Sequence, residues 1–259
     1  MASRVYAHPQ YYDIAYSFVD VPQQVDLFEE YIRQHSHVPV RRVLDLCCGP
    51  ATQPREFARR GYRAVGLDCH PIALQYAREQ AIAAGVAVEF IQADMTDFTL
   101  AEPVDFAFML MGSTAYLGSN EGLLAHLSCM ARAVVPGGLY LLENVADEWA
   151  PAWEPQVWEM ARGEITVRST YQIEPADALR QTVIQTLILQ VNDRGQTRVF
   201  TDHDEVKLFF PQEFASLVQL HGAFEFLGYF ERYGTSLHEP FSAARARADH
   251  NALLRRRDV

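Results

Sequence analysis

The chain predicts an α/β protein: a doubly wound, mostly parallel sheet of seven strands with an inserted antiparallel meander. Two observations carry that expectation. From residue 41 to 146, short apolar runs alternate with stretches of helical periodicity, the rhythm of right-handed βαβ units. After residue 146 the rhythm stops, and long strand-like runs follow one another without helices between them. At 259 residues the chain is long enough to bury a core without disulfide or metal staples.

The elements follow in order. Arg41–Cys47 reads as the first strand and Thr52–Arg60 as a helix, with Thr52 as its N-cap. Tyr62–Asp68 is the second strand; Pro71–Ala84 is a helix stopped by Gly85. Val86–Gln92 and Val104–Met111 are strands three and four. Asn120–Ala133 is helical, and Gly138–Val145 is strand five after the turn Pro136-Gly137-Gly138. The meander comprises Glu164–Ile173, Leu179–Asn192 and Arg198–Phe210, with a hairpin turn at Asn192-Asp193-Arg194-Gly195. The core resumes with helix Pro211–His221 and strand Phe224–Arg232, and Asn251–Arg256 reads as a last edge strand. Three segments result: 1–40 at the N-terminus, 41–146 with 211–259 as the core, and 147–210 as the insert.

Composition narrows the function. The 33 acidic and 22 basic side chains give a net charge of −11, against broad attraction to phosphate backbones, so no nucleic-acid partner is expected. The four cysteines, Cys47, Cys48, Cys69 and Cys129, are too few for a disulfide scaffold, and no spacing suggests a metal site. Cys47 and Cys48 should point to opposite sides of one strand. With no apolar signal core and no run of about 18 apolar residues, no membrane is expected, and a reducing cytoplasm is the default.

Chemistry gathers at the carboxyl ends of the strands. Strand one runs into Asp45-Leu46-Cys47-Cys48-Gly49-Pro50-Ala51, where glycine lets backbone N–H groups approach an anionic ligand. Asp68 closes strand two, 19 residues after Gly49, the place and spacing of an acid that accepts from ribose hydroxyls. Asp94 and Met95 follow strand three; the carboxylate could accept from an exocyclic amine, or cap the short turn before Asp97.

With these pieces in place, the chain resembles the class I S-adenosylmethionine-dependent methyltransferases. The signatures are DLCCGPA at 45–51, GLD at 66–68, ADM at 93–95, the strand VDFAFML and VVPGGLYLLE at 134–143. The resemblance implies a Rossmann-like methyltransferase fold and S-adenosylmethionine as cofactor, with S-adenosylhomocysteine as product. By position, Gly49 and the backbone at Cys47 would meet the methionine part, and Asp45 would hold that turn through amide hydrogen bonds. Asp68, with Cys69 beside it, would hold the ribose, and Asp94 and Met95 the adenine. Leu110 and Met111 would line the methionine side. The family commonly has glycine where Cys47 and Ala51 stand, and Cys47 is expected to demand φ below zero and so to strain cofactor binding. The N-terminal His8–Tyr16 segment is similar to the lid of small-molecule members with an insert after strand five, such as sugar-amine dimethyltransferases. Tyr12 would be the lid tyrosine, or, with Tyr16, a core aromatic.

The acceptor is expected to be a small molecule, because the N/D-P-P-Y/F motif of base- and glutamine-directed enzymes is replaced after strand four by Leu110-Met111-Gly112-Ser113. Catalytic candidates are Tyr116, Glu143 and His203, with Ser113, Asn144, Trp149 and Trp153 nearby. Tyr116 and Glu143 could equally serve in capping or packing. His203 stands in the polar run 201–205, which reads as a solvated turn, and His238 as loop. The tryptophans are either an aromatic wall or the core beneath the meander. The resemblance leans toward N-methylation. The competing readings are a non-catalytic S-adenosylmethionine-binding protein and an RNA or protein methyltransferase, for which Arg255-Arg256-Arg257 is the one basic path.

Overall fold

The computed structural model describes residues 5–145, 154–231 and 250–258. Two helices open the chain, α1 (Pro9–Ala15) and α2 (Val21–His35). The alternating part then supplies β1 (Arg42–Leu46), α3 (Thr52–Arg59), β2 (Arg63–Asp68), α4 (Pro71–Ala83), β3 (Val88–Gln92), β4 (Val104–Met109), α5 (Asn120–Ala133) and β5 (Val134–Glu143). Four long strands follow: β6 (Gln156–Arg162), β7 (Ile165–Asp177), β8 (Thr182–Asp193) and β9 (Gln196–Lys207). Then come α6 (Pro211–His221), β10 (Phe224–Glu231) and β11 (His250–Arg256).

The larger sheet has the order β10-β11-β5-β4-β1-β2-β3. Strands β1 to β5 run parallel, whereas β11 is antiparallel to both β5 and β10. Period-two burial sends alternate residues to the two faces. Val43, Phe106, Phe108, Leu139 and Leu141 pack with Val25, Phe28 and Tyr31 of α2 and Phe57 of α3. Leu44, Leu46, Ala107, Met109, Tyr140 and Leu142 pack with α5 and α6. The chain moves from β1 outward to β2 and β3 on one side and to β4 and β5 on the other. That reversal opens a crevice at the strands' carboxyl ends.

Several expectations need correction. Asn251–Arg256 is not at an edge: β11 lies between β5 and β10. Its charges are accommodated because the Arg255 guanidinium pairs with Glu225 at 2.6 Å and Arg256 donates to the carbonyls of Ala131 and Ala223. Two of the three arginines of the candidate basic path are thus engaged inside the fold. Strand β5 begins at Val134, so Pro136-Gly137-Gly138 lies within it, where the register against β4 shifts. Ala51, not Thr52, is the N-cap of α3, and the Thr52 hydroxyl bonds Gln53 instead. The polar run 201–205 is the middle of β9, not a turn.

The smaller sheet, β6-β7-β8-β9, is antiparallel throughout. Its β8–β9 hairpin turns through Arg194 and Gly195, both at positive φ, with Asn192 Oδ1 accepting from Gly195 N at 3.0 Å. Trp158 packs in the cluster joining this sheet to α1 and donates from Nε1 to Ala15 O at 2.7 Å. Trp149, Trp153 and His238 lie outside the described residues. No described helix is long and apolar enough to cross a membrane, and no group of three metal-ligating side chains is found among the described residues.

Candidate active site

The turn after β1 is built on left-handed backbone. Cys47, Gly49 and Ala51 have φ of 57°, 47° and 54°. The expectation that Cys47 demands φ below zero is therefore overturned: the non-glycine residue accepts a conformation costing about 1–2 kcal/mol. Surrounding bonds hold it there. Cys48 N donates to Leu67 O at 3.0 Å and Ala51 N to Cys48 O at 2.7 Å, while Cys47 Sγ contacts Met95 Sδ at 3.6 Å. Beneath the turn, Gly66 of β2 makes room for Cys48: a Cβ on it would lie 2.9 Å from Cys48 Sγ. Cys47 and Cys48 do face different clusters, but both stand past the end of β1.

Asp68, not Asp45, holds this turn. Its Oδ2 accepts from Gly49 N at 2.9 Å and its Oδ1 from His70 N at 2.8 Å, so one carboxylate ties the turn after β1 to the start of α4. Asp45 is buried, and among the described residues its carboxylate has neither a hydrogen-bond nor an ion-pair partner. Burial, then the nearby Asp68 and Glu143 carboxylates, push its pKa well above the usual range. Asp94 Oδ1 accepts from Thr96 N at 2.8 Å and Thr96 Oγ1 at 2.6 Å, closing the short turn to Asp97. These bonds lower its pKa.

A cavity of about 630 Å³ opens above these strand ends. Asp45, Cys47, Gly49, Asp68, Cys69, Asp94 and Met95 line its floor; Leu110, Met111, Ser113 and Tyr116 line the β4 end. Tyr6, Tyr12, Asp13 and Tyr16 form the roof, and Arg55 and Arg162 stand at one side. All ten residues expected around the cofactor therefore face one space, and Tyr116 joins them.

Two of the three catalytic candidates do not reach it. Glu143 is 1% exposed and faces the interior, where Oε2 accepts from Met111 N at 2.7 Å and Oε1 from Gln24 Nε2 at 3.3 Å. It fixes the Met111 turn, whose φ is 57°, rather than facing an acceptor. His203 is exposed on β9, outside the cavity lining, with Nδ1 2.9 Å from Thr186 Oγ1. Tyr116 Oη accepts from Gln185 Nε2 at 3.2 Å and lies 3.4 Å from Tyr6 Oη. Burial, above all, raises its pKa to about 12.

Other contributors escaped sequence reasoning. His126 is fully buried, with Nδ1 2.8 Å from Met95 O and Nε2 2.7 Å from Tyr140 Oη. A carbonyl only accepts, so Nδ1 carries the proton and Nε2 accepts from Tyr140. Burial lowers its pKa to about 4, and the neutral ring pins the Met95 backbone at the cavity floor. In the roof, Asp13 Oδ2 accepts from Tyr76 Oη at 2.8 Å and pairs with Arg162 Nη1 at 2.7 Å. Val5 N donates to Asp202 Oδ2 at 3.1 Å and Tyr11 Oη to Asp193 Oδ2 at 2.9 Å. The N-terminal segment is thus tied to α4 and to the smaller sheet. Only the clustering of tyrosines hinted at this; their partners lie more than 60 residues away.

Comparison with known proteins agrees with this architecture. Residues 43–138 match the family described as Methyltransferase domain. A Streptomyces venezuelae dTDP-3-amino-3,4,6-trideoxy-alpha-D-glucopyranose N,N-dimethyltransferase is 26% identical over 175 residues, 66% of this chain and 70% of the relative. A Mycobacteroides abscessus 2-heptyl-1-hydroxyquinolin-4(1H)-one methyltransferase is 45% identical over 103 residues, 39% of this chain and 44% of its own. A solved S-adenosylmethionine-dependent methyltransferase from Clostridium acetobutylicum superposes with a TM-score of 0.77 at 14% identity, covering 95% of this chain and 96% of that one.

Residues 43–138 of the chain are a methyltransferase domain.

The cavity fits S-adenosylmethionine on its own chemistry. The cofactor carries a sulfonium, an ammonium, a ribose diol, a purine and one carboxylate. The floor offers Asp45, a buried acid with no partner among the described residues, for which a cationic ligand is the complement. Asp68 presents a carboxylate already fixed by two backbone donors, and the volume lies in the range of small-molecule and cofactor sites.

Proposed function

We propose that this enzyme methylates an amine of a small molecule. One observation carries the reading: among the described residues, the β4 end of the cavity, where the acceptor would stand, offers no general base. Ser113 Oγ donates to Leu110 O at 2.8 Å, Tyr116 is a phenol with its pKa raised to about 12, and Glu143 is turned inward. His70, the one imidazole that the described residues bring to the lining, lies at the β2 end with its ring 5.8 Å from that of Tyr6. A hydroxyl acceptor ordinarily needs a base, whereas an amine needs only to arrive neutral. The relative that spans 70% of its own length on this chain is an amino-sugar N,N-dimethyltransferase, and an amino sugar is the acceptor class we favour.

In this reading Asp68 accepts from the ribose, Asp94 and the Met95 backbone face the adenine, and the Gly49 turn with Asp45 receives the methionine part. S-adenosylmethionine, when bound, supplies a sulfonium methyl already activated for displacement. The protein's work is alignment and exclusion of water. Tyr12 and the rest of the 1–40 lid close the space from above, and the 147–210 insert covers the acceptor. Tyr116 Oη can take an N–H of the acceptor and so turn the nitrogen lone pair toward Leu110 and Met111. The four cysteines are free, in keeping with a reducing cytoplasm.

Calorimetric titration with S-adenosylhomocysteine, followed by turnover on a panel of amines, phenols and carboxylates, tests this. We expect micromolar binding and turnover confined to amines. Turnover on phenols alone would overturn the amine assignment, and binding without turnover anywhere on the panel would make the protein a cofactor binder.

A further inference from the structure

The side of the cavity holds a cation with no counter-charge among the described residues. Three arginines lie on or at the end of α3, and two are committed: Arg59 pairs with Glu56 at 3.2 Å, and Arg60 with Asp26, Glu29 and Glu56 at 2.6–2.9 Å. Arg55 instead lines the cavity, half-buried. Its Nη1 donates to Pro50 O at 2.5 Å, and among the described residues no carboxylate comes within ion-pairing distance. The acid whose charge bears on it, Asp13, is already shared by Arg162 and Tyr76. One of five N–H donors is used, leaving most of a planar fork without an acceptor among the described residues.

The rest of the lining has the opposite character. Asp45, Asp68 and Asp94 face the same space, and none pairs with a cation among the described residues. An acidic floor with one unpaired guanidinium at its side complements a ligand with positive groups and a single oxyanion. A half-buried charge left without a partner is costly, and a bidentate oxyanion is the partner that the guanidinium fork fits best.

We propose that Arg55 is the oxyanion-binding residue of this cavity, taking a carboxylate or phosphate group of a bound ligand. The proposal rests on the cofactor reading above. It deepens it by giving the ligand's anionic end a place, beside Pro50 and the start of α3. The oxyanion could be the carboxylate of the cofactor's amino-acid end or an acidic group on the acceptor.

The test compares the wild type with Arg55→Gln and Arg55→Lys by calorimetry. The ligands are S-adenosylhomocysteine and 5′-methylthioadenosine, which keeps the nucleoside and thioether but lacks the amino-acid end. If the cofactor supplies the oxyanion, Arg55→Gln weakens S-adenosylhomocysteine roughly tenfold or more and leaves 5′-methylthioadenosine unchanged, and Arg55→Lys recovers part of the loss. If the acceptor supplies it, S-adenosylhomocysteine binding is unchanged. Inorganic pyrophosphate then raises the unfolding midpoint of the wild type but not of Arg55→Gln. Equal weakening of both nucleoside ligands would assign Arg55 to bracing the Pro50 carbonyl and overturn the proposal. So would three proteins indistinguishable with all three probes. A wild type that binds neither nucleoside ligand would refute the cofactor reading, and Arg55 would then stand or fall on the pyrophosphate arm.

Discussion

Asp68→Asn separates a residue that only touches ligand from one that also builds the site. Both Asp68 oxygens accept from backbone amides, Gly49 N at 2.9 Å and His70 N at 2.8 Å. Asparagine keeps one acceptor and turns an NH₂ toward the other amide, so one charge-assisted bond worth about 1.5–3 kcal/mol is lost. Asp68 opens on a cavity that water can enter, so we take the lower part of that range, about 2 kcal/mol. At about 2–4 °C per kcal/mol for a chain of this size, the unfolding midpoint of the ligand-free protein should fall by about 4–8 °C. Calorimetric unfolding without ligand, paired with S-adenosylhomocysteine titration, measures both effects. A weakened affinity with a midpoint unmoved by even about 2 °C, the least expected of one kcal/mol, would show that Asp68 does not hold the turn.

Two further outcomes are expected. His126, at about 4 in the fold against an ordinary 6.5, is neutral when buried, so between those values the unfolded chain binds the extra proton. Its contribution is complete above pH 6.5 and is lost as the pH falls toward 4, by about 3 kcal/mol. Unfolding midpoints recorded between pH 8 and 4 should show this slope, and a flat profile in both the wild type and His126→Gln would refute it. Asp13→Ala removes the shared acceptor of Arg162 and Tyr76. Because Arg162 is half exposed, the cost should be about 1–2 kcal/mol, and amide exchange should quicken in α1 and β6; unchanged protection of α1 would refute the latch.

Much of the cavity floor was legible because it is local in sequence. The acids Asp45, Asp68 and Asp94 each stand within two residues of a strand's carboxyl end, and parallel strands bring those ends together whatever the side chains between them do. What could not be read depends on pairings across long separations or on a side chain's direction. Glu143 ends β5 as a reactive acid would, yet it points inward to Met111 N. His203 sits among charges that imitate a turn, while burial of Asp202 and Val206 on the opposite face makes the segment a strand. His126 falls on the apolar face of α5, where periodicity reads only a core position. Cys47 was judged by its intrinsic preference, and the hydrogen bonds and sulfur contact around it outweighed that preference.

The position of β11 has a consequence for how the protein is made. Strand β5 cannot acquire its outer neighbour until residues 250–256 have left the ribosome, because that segment is what pairs with Leu139–Glu143. About a hundred residues separate the two, so at roughly 5–20 residues per second β5 waits on the order of 5–20 s with one edge open. The waiting strand carries Leu139, Tyr140, Leu141 and Leu142, all fully buried in the finished fold, and an unpaired apolar edge is a template for association with other chains. Growth temperature and chaperone supply should therefore affect the yield of this protein during synthesis more than its stability once folded.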